Sequence, residues 1–188
     1  MAEFFDALTD KHIAMIGKQP LFFVTTACAE GRINLSPKGL DTFRVLDNNR
    51  VAYLDLGGSG NETQAHLTAD GRITIMFCNF ENPALILRLY GHGKAILPQD
   101  DDWDSLIGNF TLLPGTRQIF DITVDSVQTS CGWGVPHMEL ARERETLTKY
   151  HAAQDPIARL AKISGRTQSI DGLPVRVQSS MPHAEDKT

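Results

Sequence analysis

The stretch Arg32-Ile-Asn-Leu-Ser-Pro-Lys-Gly39 sets a polar, basic loop at the end of an otherwise apolar strand. Residues 21–27 (LFFVTTA) precede it and are rich in β-branched and aromatic side chains, and Ala29-Glu30-Gly31 supplies turn residues between them. The two runs therefore predict a β-hairpin. Its second strand is expected to end at Ser36-Pro37-Lys38-Gly39, because proline removes a ladder donor and glycine permits a bend.

Lys38 is the chemically notable residue of this hairpin. An ammonium group held at a strand end, with the Ser36 hydroxyl beside it, could bind an anion. The alternative is a solvated loop lysine, and the four residues SPKG do not by themselves exclude it.

Size and composition limit the possible classes of protein. The chain has 188 residues, which fits one domain, or one domain with an appendage, and is long enough to bury a core. Its net charge is −5 with a pI near 5.6, and no run of Lys and Arg combines with surface aromatics, so we expect no nucleic-acid partner.

Targeting signals and cysteine usage indicate a compartment. The apolar runs are too short to span a membrane, and the first residues, MAEFFDALTDK, carry acids where a signal peptide needs bases. Cys28, Cys78 and Cys131 are widely spaced and form no CxxC pair, so we expect structural thiols rather than disulfides or a zinc site. A soluble cytoplasmic protein with no membrane partner is the expectation.

Strands follow one another along most of the chain. Strand patterns are predicted over residues 21–27, 32–35, 41–46, 50–56, 72–78, 84–97 and 116–127, with a bend at the glycines around His92 and with 72–78 central and buried on both faces. Consecutive strands favour a closed or split antiparallel barrel with peripheral helices over a doubly wound sheet.

Helical patterns are confined to the edges of this barrel. Thr9 is expected to cap a helix that ends at Gly17, residues 100–110 form an amphipathic helix, and residues 138–164 are helical with a break at Asp155-Pro156. The predicted organisation is a helix over 1–19 packing on the barrel, a barrel domain over 20–136, a helical extension over 137–180 and a loose tail over 181–188.

The segment Gly57-Gly58-Ser59-Gly60-Asn61-Glu62-Thr63 is the second chemical signal. It lacks the spacings of dinucleotide and phosphate loops, but a glycine loop that leads into a helix leaves backbone N–H groups free for an anion. The alternative is a plain strand-to-helix turn with Asn61 as the cap. Glu62 argues against a simple phosphate cradle, because its charge suits the helix dipole but repels a phosphate.

Other chemistries find little support in the sequence. His66 and His92 form no ligand set with suitable spacing, so we expect no metal site. There is no GxSxG elbow that would activate a serine nucleophile.

The ordered set of motifs LFFVTTA, SPKG, GSGNETxAHL, RITIMFCNF, LRLYGHGKA and SCGWGVP resembles the pyridoxamine 5'-phosphate oxidase-like family of FMN-binding split barrels. The resemblance extends from Leu21 to about Pro136. It implies a mainly β fold, a six-stranded antiparallel split β-barrel with peripheral helices. It also implies a homodimer that holds FMN at the subunit interface, with the phosphate on one subunit and part of the ring pocket on the other.

The resemblance also implies roles for individual residues. Lys38, with Ser36, matches the lysine that pairs with the FMN phosphate, and Asn61, Glu62 and Thr63 stand where the family has Ser-Arg-Lys. Two further residues are assigned in the same way: Arg88 as an additional phosphate partner, and Trp133 as an apolar wall for the flavin ring. Packing of Trp133 at the barrel mouth is the alternative.

The replaced cations and a missing C-terminal signature mean that vitamin B6 oxidase activity is not transferred. The expected function is that of an FMN-dependent oxidoreductase acting on an unknown small molecule, in which the flavin transfers hydride or electrons. The alternative is a non-catalytic barrel that binds flavin, haem or deazaflavin, or a structural dimer with no cofactor.

Overall fold

A computed structural model of the protein describes residues 2–183. Within this range it contains eight strands: β1 Glu3–Phe5, β2 Leu21–Thr26, β3 Asn34–Gly39, β4 Phe43–Asp47, β5 Arg50–Leu56, β6 Arg72–Cys78, β7 Leu85–Ile96 and β8 Thr116–Cys131. The same range contains five helices: α1 Asp10–Ile16, α2 Glu62–Ala69, α3 Trp103–Ile107, α4 Thr146–Ala152 and α5 Pro156–Ser164.

All strands join one antiparallel sheet that curls into a half-barrel. Its order is β3-β2-β6-β7-β8-β5-β4, and β1 adds to β8 with Glu3 opposite Thr129. The predicted mainly β, antiparallel split-barrel fold is confirmed. The described chain carries eight strands rather than six, and β1, which is short and largely exposed, had no signal in the sequence.

The SPKG stretch continues β3 instead of ending it. Pro37 lies opposite Phe23, and Lys38 lies opposite Phe22, in the register of β2 and β3. β3 is at the edge of the sheet, where a strand has a partner on one side only, so the missing amide hydrogen of proline does not break the ladder. The strand predicted over residues 32–35 was therefore too short at this end, and β3 ends at Gly39.

Several local predictions are confirmed. Thr9 caps α1, because its hydroxyl accepts a hydrogen bond from His12 N at 3.4 Å. The pairing of β7 with β8 shifts register between Tyr90 and Gly91, with Asp125 of β8 as the extra residue, and a side chain on Gly91 would meet the carbonyl of Thr123 at 2.0 Å. The β7–β8 ladder is therefore irregular where the glycines occur.

β6 lies between β2 and β7, as predicted for a central strand, but only one of its faces is buried. Ile73, Ile75 and Phe77 point into the core, whereas Thr74 and Met76 on the other face are half-buried. Burial on both faces was predicted and does not occur within one chain. Among the described residues, α3 packs on the other face of the sheet, where it contacts residues of β5, β7 and β8 but none of β6.

The observed helices are shorter than the predicted ones. α3 spans Trp103–Ile107 instead of residues 100–110, since the Asp100 carboxylate caps the preceding turn by accepting from Leu97 N at 2.9 Å. Residues 138–145 are not helical, but the break at Pro156 is present, with Asp155 as the cap of α5. Asn61 precedes α2 but makes no side-chain capping bond.

The last described residue, His183, contacts α3. Residues 184–188 of the predicted loose tail lie outside the described residues, and the His183 carbonyl accepts from Trp103 Nε1 at 2.8 Å. Cys131 is exposed at the end of β8, which does not fit a packed structural thiol. Among residues 2–183, we find no helix with the length and apolar character needed to cross a membrane.

Candidate functional site

A buried carboxylate, Asp55, is the centre of the polar network inside the barrel. Lys38 Nζ donates to Asp55 Oδ1 at 3.1 Å, and Arg117 donates to Asp55 Oδ2 from Nη2 at 2.7 Å and from Nε at 2.9 Å. Burial opposes ionisation of this group, but Arg117 and Lys38 outweigh it and lower the pKa of Asp55 to about 2. The carboxylate is therefore charged at neutral pH and is shared by two cations.

The network continues from Asp55 to the start of α2. Gln118 Nε2 donates to Asp55 Oδ2 at 2.9 Å and to Asn61 Oδ1 at 2.7 Å. Gln118 Oε1 in turn accepts from Gln64 Nε2 at 2.6 Å, and Arg117 donates to the Gly60 carbonyl at 2.9 Å. The Asn61 side chain is thus bound to Gln118 of β8, which explains why it does not cap the helix.

A second branch joins β3 to α2. Asn34 Nδ2 donates to Thr63 Oγ1 at 3.0 Å and to Thr26 Oγ1 at 3.1 Å, while Ser36 donates to Asn34 Oδ1 at 3.2 Å. Asn34, Ser36 and Lys38 alternate along β3 and pair with buried residues of β2, so all three side chains lie on the inner face. Asn34 therefore links Ser36 of β3 to Thr63 of α2, while Lys38 of the same strand pairs with Asp55.

Glu62 makes a contact that the sequence did not reveal. Its Oε2 accepts a hydrogen bond from the backbone of Ile170 at 3.0 Å, so a segment of the C-terminal region lies over the first turn of α2. The acidic residue at the position of a family cation therefore holds the protein's own backbone.

Arg88 and Trp133 lie apart from this group in the single chain. Arg88 is on the outer face of β7, between the core residues Leu87 and Leu89, and donates to Ser130 Oγ at 3.1 Å. Trp133 follows β8 and is 87% exposed, so it does not pack the barrel mouth of its own chain. The roles predicted for Arg88 and Trp133 stay predictions.

A cavity of about 700 Å³ opens beside Lys38, a volume typical of small-molecule sites. It lies between the ends of β3 and β5 and the segment 138–147. Apolar side chains form most of its wall, including Pro20, Leu21, Leu54, Leu56, Phe80, Met138, Leu140 and Leu147. Lys18, Lys38, Arg142 and Arg144 add positive charge, and Glu81, Glu139 and Glu143 add negative charge.

Asp55, Arg117 and Gln118 were missed by sequence reasoning. The available signal was a charged residue within each apolar strand pattern, Asp55 between Leu54 and Leu56 and Arg117 ahead of Ile119. Charged side chains at such positions are seldom buried unless they are paired. The partner cannot be read from the pattern, because it lies on another strand. No group of three or more His, Cys, Asp or Glu side chains suited to a metal occurs among residues 2–183.

Comparison with known sequences decides the family. The profile of the pyridoxamine 5'-phosphate oxidase family matches residues 8–131. The chain belongs to this family. A curated relative, the pyridoxamine 5'-phosphate oxidase family protein ustO of Aspergillus flavus, is 40% identical over 151 residues, which are 78% of this chain and 61% of the relative. The chain thus spans about three fifths of the length of that family protein.

Solved structures of low sequence identity share the fold. A candidate pyridoxamine 5'-phosphate oxidase from Lactobacillus delbrueckii superposes with a TM-score of 0.53 at 15% identity, covering 65% of this chain and 94% of the other. A single-residue variant of HupZ from Group A Streptococcus gives 0.52 at 19% identity, covering 65% and 98%. The family predicted from the motifs is therefore confirmed, together with its split-barrel architecture.

The residues around Lys38 fit a flat ligand that carries an anionic group. The apolar walls suit a conjugated ring, and a lysine has three N–H donors, of which one is directed at Asp55. Ser36 and Thr63 contribute hydroxyl groups to the Asn34 branch of the network. Glu62 does not contribute, because its carboxylate would repel an anion.

Proposed function

We propose that this protein is an FMN-dependent oxidoreductase of the pyridoxamine 5'-phosphate oxidase family, acting on a small-molecule substrate. The observation that carries the proposal is the position of Lys38, whose ammonium group is oriented by Asp55 at 3.1 Å and lines a cavity of about 700 Å³. A fixed cation in an apolar cavity suits a ligand that combines a ring with a phosphate.

The chain's own residues bind and orient the ligand in this proposal. Lys38, Ser36 and Thr63 would hold the phosphate, while Asp55 keeps the Lys38 side chain directed to one place. Bound FMN would supply hydride or electron transfer. Apolar residues such as Leu54 and Phe80 exclude water from the ring.

A homodimer belongs to the same proposal. Two observations support it: the outer face of β6 and β7 is only half-buried, and Leu35 and Trp133 expose large apolar surfaces at 63% and 87%. A two-fold axis would bring Arg88 and Trp133 of the partner subunit toward the cavity, since isologous dimers bury the same patch on both chains. Sedimentation equilibrium at micromolar concentration tests this, and a clean monomer would contradict it.

The second candidate is a non-catalytic protein that binds flavin, deazaflavin or haem. The charge balance favours binding of a flavin that lacks the phosphate, because Asp55 already compensates part of the Lys38 charge and Glu62 stands at the start of α2. A ligand that carries less negative charge than FMN would meet less repulsion there.

Reduction kinetics of the flavin-loaded protein separate the two candidates. The purified protein is first titrated with FMN and riboflavin, using flavin fluorescence. It is then mixed with NADPH or NADH in a stopped-flow instrument and exposed to air. Rapid bleaching and recovery of the flavin absorbance are expected for an oxidoreductase, whereas tight binding without reduction by either nucleotide would favour the carrier.

A further inference from the structure

The C-terminal hairpin, residues 167–175, folds back over the first turn of α2. Its arms are joined by hydrogen bonds from Val175 N to Thr167 O at 2.9 Å and from Ser169 N to Leu173 O at 2.8 Å. Gly172 forms the tip with a φ of 80°, which glycine adopts without strain. The hairpin is therefore a preformed unit.

Two consecutive residues at the tip contact the two elements that carry the candidate phosphate ligands. Ile170 N donates to Glu62 Oε2 at 3.0 Å. The Asp171 carboxylate accepts from Arg32 N at 2.7 Å and pairs with the guanidinium of the same arginine. Glu62 begins α2 and Arg32 lies just before β3, so the tip bridges the gap between these elements.

The tip carries a negative charge into this gap. Hydrogen bonds from the backbone and side chain of Arg32 lower the pKa of Asp171, so its carboxylate is ionised at neutral pH. Free N–H groups and the helix dipole at the start of α2 attract an anion. The Asp171 carboxylate would repel a second anion there, because like charges at short range repel.

The tip of the hairpin, residues 170–172, is attached mainly by surface contacts, whereas Ser169 and Val175 in its arms are buried. Arg32 is 68% exposed, and exposed ion pairs stabilise a fold only slightly. The Ile170 side chain is also exposed to solvent. The preceding helix, α5, has no buried residue. Segments with few buried apolar contacts open at low cost in free energy.

We infer that the hairpin tip competes with the anionic group of the ligand: Asp171 and Ile170 cover the start of α2 in the free protein and move away when a phosphate binds beside Thr63. This inference rests on the proposed function. A ligand without a phosphate, such as riboflavin, would leave the hairpin in place.

Flavin titrations of two charge-matched variants test the competition. Asp171→Asn removes the charge at the tip, and Asp102→Asn removes the same charge from an exposed pair with Lys94 (2.8 Å) at the α3 turn. FMN should bind Asp171→Asn roughly three- to tenfold more tightly than wild type. Riboflavin should bind all three proteins alike, and Asp102→Asn should match wild type for both ligands.

Amide hydrogen exchange of wild type reports the movement directly. Saturating FMN should speed exchange at Ile170, whose N–H is released from Glu62, and riboflavin should not. Slower exchange with FMN, or FMN binding that is weaker or unchanged in Asp171→Asn, would overturn the inference while leaving flavin binding intact. Failure of all three proteins to bind either flavin would overturn the proposed function itself, and the inference with it.

Discussion

Lys38 and Asp55 close the barrel with an ion pair of 3.1 Å, although four strands separate β3 from β5 in the sheet order. The sheet must curl for these two side chains to meet, so the pair connects the architecture to the candidate site. Asp55 is almost fully buried and also binds Arg117, which makes Lys38 the member of the group that a ligand can reach.

Lys38→Ala should weaken FMN binding by roughly 30-fold or more, because losing one hydrogen-bonded charge partner costs about 2–5 kcal/mol. Riboflavin has no phosphate and should bind the variant and wild type nearly alike. Fluorescence titration of both flavins measures the effect. An equal loss for the two ligands, or no loss for either, would place the phosphate elsewhere.

Trp133→Ala should weaken FMN and riboflavin to the same extent, by about tenfold, because a stacked aromatic contributes to ring binding and not to the phosphate. Trp133→Phe keeps an aromatic face and is the matched control, with binding close to wild type. The same titrations check this. An unchanged affinity in the alanine variant would show that Trp133 does not contact the flavin ring.

Asp55→Asn should destabilise the protein by about 3–5 kcal/mol, since the buried guanidinium of Arg117 would lose its counter-charge. Asp41→Asn provides the control, because Asp41 forms an exposed pair with Arg44 at 2.6 Å and should change the free energy of unfolding by about 0–1 kcal/mol. Urea unfolding at pH 7 measures both. Similar effects of the two substitutions would show that Asp55 is not the centre of the network.

Stability should fall as acid protonates Asp55. Its pKa is depressed from 3.8 to about 2 in the folded protein, so its contribution is present above pH 4 and is lost as the pH falls toward 2. The shift corresponds to roughly 2 kcal/mol of unfolding free energy. Urea unfolding at pH 6, 4 and 3 should show a steeper loss for wild type than for Asp55→Asn, and parallel curves would contradict the assignment.

Gly91→Ala should destabilise the fold by about 1–3 kcal/mol, because the added carbon would lie 2.0 Å from the backbone oxygen of Thr123, which cannot rotate away. Gly134→Ala is the control, since a side chain there meets nothing within 4 Å. Thermal unfolding of the two variants compares them. A Gly91 variant as stable as the Gly134 variant would mean that the bulge tolerates a side chain.

The local sequence pattern was sufficient to predict much of the fold. The strand limits Arg50–Leu56 and Arg72–Cys78, the Thr9 cap and the break at Pro156 agree with the structure. Each depends on side-chain alternation or on capping within a few residues, and such interactions act between neighbours in the chain. The ordered motifs also identified the family, because together they record the order of the barrel elements.

The composition of the site was decided by tertiary structure. Asp55 binds Lys38 and Arg117 across the barrel, Glu62 binds the backbone of Ile170, and Asp171 binds Arg32. These partners are far apart in the chain, and a hydrophobic period shows which side of a strand is buried but not which charge lies opposite. The sequence by itself determined most of the strands and the family, but not β1 or the end of β3. The curling of the sheet and the return of the C-terminal hairpin determined which groups meet at the site.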